Sequence, residues 1–213
     1  RCRVGAVTDV RLVPHLHSFA GLPGQAGVDR AGTPGPPGAA RVICDVFPPR
    51  GEPFPGDPRW VLRRQLEKAK KLGYVLNTGP ELEFFLLKRD DSAVEALPHD
   101  AAGYFDLSSD QGTEVRKEMM NDLEAFGIKV ETAHHEVATG QHEIDFEYAD
   151  ALRTADNAVT FKTTLKAVAA RQGLYATFMP KPIFGVNGSG KHTHQGLWDN
   201  NKARHSFADA GAP

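Results

Sequence analysis

Cysteine is scarce in this 213-residue chain: only Cys2 and Cys44, neither in a CxxC pair. So few thiols exclude a disulfide-built secreted scaffold and fit a reducing compartment. No apolar run approaches the roughly 18 residues that a membrane-crossing helix requires, and the opening Arg-Cys-Arg-Val is not a signal peptide. A dominant charge sign is missing too. The 25 Lys and Arg against 27 Asp and Glu leave a formal net charge of −2, so nothing suggests the basic surface of a nucleic-acid binder. Even the Lys68-Ala-Lys-Lys71 cluster reads as a solvated helix face. The expectation is a cytoplasmic protein with no nucleic-acid and no membrane partner. With 40% hydrophobic and 24% charged residues, the chain has the means for one or two domains with a real core.

Glycine and proline, by contrast, are plentiful and unevenly placed. Gly21 to Gly38 is packed with Gly, Pro and Ala and reads as irregular. Arg41 to Val46 is a β-branched run that predicts a strand, and Phe47 to Gly56 predicts turn and linker. A domain boundary is expected near Asp57, dividing residues 1–56 from 57–213.

Beyond it, helix and strand patterns alternate. Asp57 and Pro58 open a helix whose stripe is Leu62, Leu66 and Ala69, and Gly73 stops it. Ser108, Ser109 or Asp110 caps a second helix with Val115, Met119, Leu123 and Phe126 inward and Gly127 as terminator. A third runs from about Leu152 to Gln172, burying Ala158, Phe161, Leu165 and Val168. Strands are expected over Glu81–Leu87, Ile128–Thr132, Glu143–Tyr148, Leu174–Met179 and His192–Trp198.

Several of these strands carry charge on a regular period. Glu81 and Glu83 are two apart, so they share a strand face at roughly 7 Å spacing, with Leu82 and Phe84 on the other. In Glu143-Ile-Asp-Phe-Glu-Tyr148 the alternation predicts Ile144, Phe146 and Tyr148 buried, and His192 and His194 share a face across Thr193. A cleft lined by such faces is costly unless cations neutralise it. Carboxylates with one imidazole suit Mg²⁺ or Mn²⁺ better than zinc. Either acidic pair alone also fits the solvent face of an antiparallel strand. His134-His135 also fits a structural or surface pair, and Asn187-Gly-Ser-Gly190 a tight turn with no GK[ST] after it. Spacing alone reaches no further than a metal-dependent enzyme of unspecified reaction.

Four longer stretches go further when joined. They are Gly79-Pro-Glu-Leu-Glu-Phe-Phe-Leu86, Glu131-Thr-Ala-His-His-Glu-Val-Ala-Thr-Gly-Gln-His-Glu-Ile144, Phe178-Met-Pro-Lys-Pro-Ile-Phe-Gly185 and Asn187-Gly-Ser-Gly-Lys-His-Thr-His194. In order and spacing they resemble the active-site motifs of the glutamine synthetases, the prokaryotic type I form above all, and the resemblance covers about Arg41 to Trp198. It implies an α+β fold: the remnant of a β-grasp N-terminal domain, then part of a catalytic domain with a curved antiparallel sheet and helices. It also implies a ligase that forms L-glutamine from L-glutamate and ammonium through γ-glutamyl phosphate, with ATP as co-substrate and two Mg²⁺ or Mn²⁺ ions. In the family the full-length enzyme is a ring-shaped homo-oligomer, a dodecamer.

By resemblance, Glu83, Glu136 and Glu143 hold one ion, while Glu81 and His192 hold the second. Glu131, His194 and Gly196 fall where the family touches ATP, and Asn187 and Gly188 where it touches glutamate. Tyr104 matches a tyrosine of the ammonium pocket, which makes Glu83, Glu136 and Tyr104 the catalytic candidates. Lys191 stands where a methionine is usual and is expected to weaken the second metal; Gly196 stands where a serine is usual. The family's upstream Asp-Gly-Ser-Ser loop and its downstream arginine motifs have no match, so the chain is expected to be a central fragment, inactive alone. A γ-glutamyl-polyamine or γ-glutamyl-amide ligase of the same fold is the nearest alternative, and a non-catalytic truncated scaffold is the next.

Overall fold

The computed structural model of the chain describes residues 2–4, 8–15, 20–21, 40–89, 94–96, 100–106, 110, 112–201 and 205–207. The chain divides into two compact units: one of residues 1–77, 150–156 and 196–213, the other of 78–149 and 157–195. Most of the Gly21–Gly38 segment lies outside the described residues.

In the first unit, β1 (Cys2–Val4), β2 (Thr8–Pro14) and β5 (Cys44–Phe47) form an antiparallel sheet in the order β1-β2-β5. The two-residue strands β3 (Ala20–Gly21) and β4 (Ala40–Arg41) pair separately. The single strand expected over Arg41–Val46 is therefore two pieces. Ile43 gives its carbonyl to the His15 N–H just beyond β2, and strand pairing resumes at Cys44.

Helix α1 (Pro58–Lys71) begins as its sequence dictates. Asp57 accepts the Arg59 N–H at 3.1 Å, and Pro58 occupies a position that needs no N–H. The chain leaves through Gly73 at φ 91°. Its Leu62, Leu66 and Ala69 stripe is half-buried rather than buried, so ionic contacts carry much of its attachment. Asp45 on β5 accepts from Arg59 at 2.5 Å and Arg63 at 2.8 Å and pairs with His15 at 2.7 Å; Arg59 also holds Asp156. Burial pushes the Asp45 carboxyl up, but these three partners together pull it below the ordinary carboxylate range.

The second unit is built on β6 (Tyr74–Arg89), whose first residues belong to the first. Its partners are β7 (Val94–Ala96), β9 (Gln141–Phe146) and β11 (Leu174–Thr177), all antiparallel, and also β10 (Ala149–Asp150) and β12 (Lys191–Asp199). Beyond β9 lies β8 (Val130–His135). One sheet face meets α2 (Thr113–Ala125) and α3 (Ala151–Arg171). The core joins Leu82, Phe84, Ile144 and Phe146 from the sheet to Met119, Leu123, Phe161 and Leu165 from the helices. Each such side chain, once buried, contributes about 1.5–3 kcal/mol. The helix stripes face inward as their spacing predicts.

Three expectations need correction. Tyr148 is 36% exposed, because β9 ends at Phe146 and the alternation ends with it. The α2 N-cap is Gly112, with no side-chain cap bond; Asp110 instead takes the Gly112 N–H at 3.0 Å and pairs with Arg116, while Ser108 and Ser109 lie outside the described residues. The next strand starts at Val130, not Ile128. Gly127 at φ 76° and the Ile128 N–H to the Leu123 carbonyl close α2 in a Schellman turn, which uses the Ile128 donor.

Candidate metal-binding site

Strand register decides which side chains meet. Between β6 and β9, Glu81 lies opposite Asp145 and Glu83 opposite Glu143; between β9 and β8, Asp145 lies opposite Thr132 and Glu143 opposite His134. Directly opposed residues share a face, so four carboxylates stand in a two-by-two array on the face away from Leu82 and Ile144. Like charges directly opposite destabilise a sheet. This arrangement is costly unless something positive faces it.

Each carboxylate is held differently. Glu83 Oε2 accepts from Gln141 Nε2 at 2.6 Å and the Gly190 N–H at 2.9 Å. A Cβ at Gly190 would lie 2.8 Å from Glu83 Oε1, so any side chain there would have to displace that carboxylate. Glu136, just past β8, accepts from Tyr104 Oη at 2.9 Å and the Val137 N–H, while His134 Nε2 lies 2.9 Å from its other oxygen. The bond donated to Glu136 raises the Tyr104 hydroxyl above its ordinary pKa. His134 Nε2 also comes within 3.1 Å of Glu143.

Glu143 is left partly unsatisfied. It is 8% exposed, and its buried Oε1 has no hydrogen-bond partner among the described residues. Burial first, then Asp145, with Glu136 and Glu83 adding to it, push its carboxyl up to about 7 against the opposing pull of His134. Glu143 also belongs to both groups whose donor atoms lie within 4.8 Å of one another: His134, Glu136 and Glu143, and Glu81, Glu143 and His192. Oxygen donors with an imidazole, and one orphaned buried oxygen, fit a hard divalent cation.

Of the remaining residues expected from the sequence, His192 and His194 reach this array. On β12, His192 Nδ1 is 3.4 Å and His194 Nε2 2.6 Å from Glu81, so both imidazoles reach the same carboxylate. Glu131 is the extra residue of a β-bulge: Val130 pairs with Phe146 and Thr132 with Asp145, leaving Glu131 exposed and unpaired in the ladder. Asn187 is exposed. The Gly188 carbonyl accepts from Gln141 Nε2 at 3.0 Å, and a Cβ there would sit 2.3 Å from the Pro180 carbonyl oxygen. Gly196, buried on β12, belongs to the first compact unit. Glu83 stands outside both donor groups, its Oε2 taken by Gln141 and Gly190.

A third cluster, Asp100, His135 and His142, has metal-like composition but no free donor. His135 Nδ1 faces the Glu136 carbonyl at 2.5 Å and its Nε2 the Asp100 carbonyl at 3.2 Å, so both nitrogens donate and the ring is cationic. Burial pushes that proton off, but Asp100 and the carbonyl hold the pKa above its ordinary value. His142 Nδ1 accepts from Arg116 at 2.8 Å and Nε2 faces Asp100 at 3.1 Å, so this ring is neutral; burial above all lowers its pKa. Asp110 completes the balance on Arg116. The spacing of Gln141 and Asp145 from Glu143 is the signal that would have found those two; Asp100 and Arg116 carried none.

The family model of the glutamine synthetase catalytic domain matches residues 55–213. The glutamine synthetase of Thermus thermophilus is 52% identical over 211 residues, covering 96% of this chain and 45% of that protein. Among solved structures, ligand-free GmaS superposes with a TM-score of 0.83 at 33% identity, over 98% of this chain and 47% of that one. A cryo-EM glutamine synthetase of Plasmodium falciparum follows at 0.80 and 26%, over 98% and 44%. The chain thus spans about half the length of the relatives it matches.

Proposed function

The chain belongs to the glutamine synthetase family, and from that premise we propose that it carries the metal-binding core of an ATP-dependent ligase joining ammonia to L-glutamate. The observation that carries the proposal is the opposed carboxylate array with the buried, unpartnered Oε1 of Glu143. Glu83, Glu136 and Glu143 would hold one Mg²⁺ or Mn²⁺ ion, and Glu81 with His192 the other. Such ions, when bound, neutralise the anionic carboxylate and phosphate that must approach each other.

The protein's own groups have further tasks. Tyr104, by donating to Glu136, fixes that carboxylate's orientation. Gln141 and Gly190 do the same for Glu83. Ammonium must lose a proton before its nitrogen can attack γ-glutamyl phosphate, and the carboxylates beside Tyr104 are the acceptors at hand. Glu131, released from the ladder by its bulge, would reach ATP with His194 and Gly196, and Asn187 and Gly188 would meet glutamate. The division near Asp57 into a β-grasp part and a catalytic part, a homo-oligomeric ring and a cytoplasmic setting belong to the same proposal. The matched family model begins at residue 55, and no described helix is long and apolar enough to cross a membrane.

In the full-length protein, Glu83→Gln and Glu136→Gln are each expected to abolish ATP-dependent glutamine formation while circular dichroism stays unchanged. Near wild-type turnover by either variant at saturating Mg²⁺ overturns the assignment.

A further inference from the structure

Asp145 has no place in the ligand sets above, yet its surroundings match theirs. It lies directly opposite Glu81 in the β6–β9 register and two residues from Glu143 on the same face. Thr132 Oγ1 donates to Asp145 Oδ2 at 2.6 Å, which fixes the side chain. Its other oxygen, Oδ1, is buried and has no hydrogen-bond partner among the described residues. Glu143, 8% exposed, carries the same orphan one pleat away. A buried acceptor left unsatisfied carries the full cost of its lost hydration, and a larger one when charged. Two in succession, each facing another carboxylate across the sheet, are a repeated cost that a metal-free protein would gain by removing.

We propose that Asp145 is a further carboxylate of the cation site, held by Thr132 and serving the ion that Glu81 and His192 would bind. Its oxygens are not among the donor atoms grouped within 4.8 Å, so it acts on that cation's bound water and charge rather than as a direct ligand. Groups at that remove typically change metal affinity 10–100-fold. The inference rests on the metal reading of the site.

The test is Asp145→Asn in the 213-residue chain, with Glu124→Gln, an exposed carboxylate on α2, as control. Thermal unfolding is followed without metal, and Mn²⁺ binding by the resonance of the free ion. Loss of a repelled, unpartnered charge is expected to raise the metal-free Tm by about 2–4 °C, the shift that roughly 1 kcal/mol gives a chain of this size. The Mn²⁺ Kd is expected to weaken about tenfold, while the control moves neither. A lower Tm, or failure to fold, makes Asp145 a structural partner of Thr132 and overturns the proposal. An unchanged Mn²⁺ Kd also overturns it, whatever the Tm does. If the wild-type chain itself binds no Mn²⁺, the metal reading of the whole array falls; if it binds and Asp145→Asn binds equally, only this inference does.

Discussion

Strand β9 buries charge in two ways, one on each face. Toward the core, His142 meets Asp100 and Arg116, and next to it His135 on β8 meets Asp100 and the Glu136 carbonyl. Every charge there has an opposite partner: Asp100 and Asp110 against His135 and Arg116. On the other face, Glu143 and Asp145 confront Glu83 and Glu81, and each keeps one buried oxygen with no partner. A closed network of charges stabilises a fold or holds it in register. An open one of a single sign is stable only when something from outside completes it, so the orphaned oxygens, rather than the count of acidic residues, separate a site from a scaffold.

The largest test of that contrast is Asp100→Asn. It leaves the shape in place and strands the cationic His135 against the His142 ring without its carboxylate. Removing one partner of a buried pair costs about 3–5 kcal/mol, so the urea midpoint should fall steeply while Mn²⁺ affinity, measured below the transition, changes far less. A variant as stable as the wild type would show that the core-side network is no more closed than the other.

A smaller and opposite effect is expected from Glu143→Gln without metal. The Glu143 carboxyl is raised from 4.5 to about 7. Between those values the native protein binds a proton that the unfolded chain has released, so its contribution to stability is present below about pH 4.5 and lost as pH rises to about 7. His135, also raised, acts in the same direction at higher pH, and only the difference between variant and wild type isolates Glu143. The variant should gain on the wild type by on the order of 1–2 kcal/mol between pH 5 and pH 7.5, and saturating Mn²⁺ should reverse the order. Asp100 behaves oppositely: held far below its ordinary 3.8, it contributes stability above that pH and loses it only under stronger acid. Equal pH profiles for variant and wild type would mean that Glu143 is already neutralised by His134.

The sequence carried much of the open face and little of the closed one. Period-two spacing placed Glu81 with Glu83 and His192 with His194, and helical stripes placed Met119, Leu123, Phe161 and Leu165 in the core. Local periodicity reports local geometry, which is why those readings succeeded. The closed network joins an irregular stretch at Asp100 to α2 at Arg116 and to two strands, over separations of up to 42 residues that no local pattern encodes. His134 had the same difficulty: it read as a structural or surface histidine, and only the β8–β9 register brings it to Glu136 and Glu143. The α2 start differs for a related reason: of the three expected caps Asp110 is the one described, and Arg116, six residues on, takes its carboxylate while Gly112 holds the N-cap position.

The smallest effect concerns Lys191, whose charge beside His192 was expected to weaken the second metal by on the order of 1 kcal/mol at close, partly exposed distances. Strand geometry reduces that. His192 and His194 both turn to Glu81, so by alternation Lys191 projects from the other face of β12, and it is exposed to water. A solvated ammonium on the far face acts through high dielectric and is further screened at physiological salt, where the Debye length is about 8 Å. Lys191→Met is therefore expected to tighten Mn²⁺ binding by less than about twofold, most visibly near 10 mM ionic strength, where that length grows to about 30 Å. The measurement is the Mn²⁺ Kd of both chains at low and physiological salt. Tightening of tenfold or more at low salt would mean that Lys191 folds over the strand edge onto the carboxylate face. The open array would then carry a counter-charge of its own, and its contrast with the closed network would be one of degree.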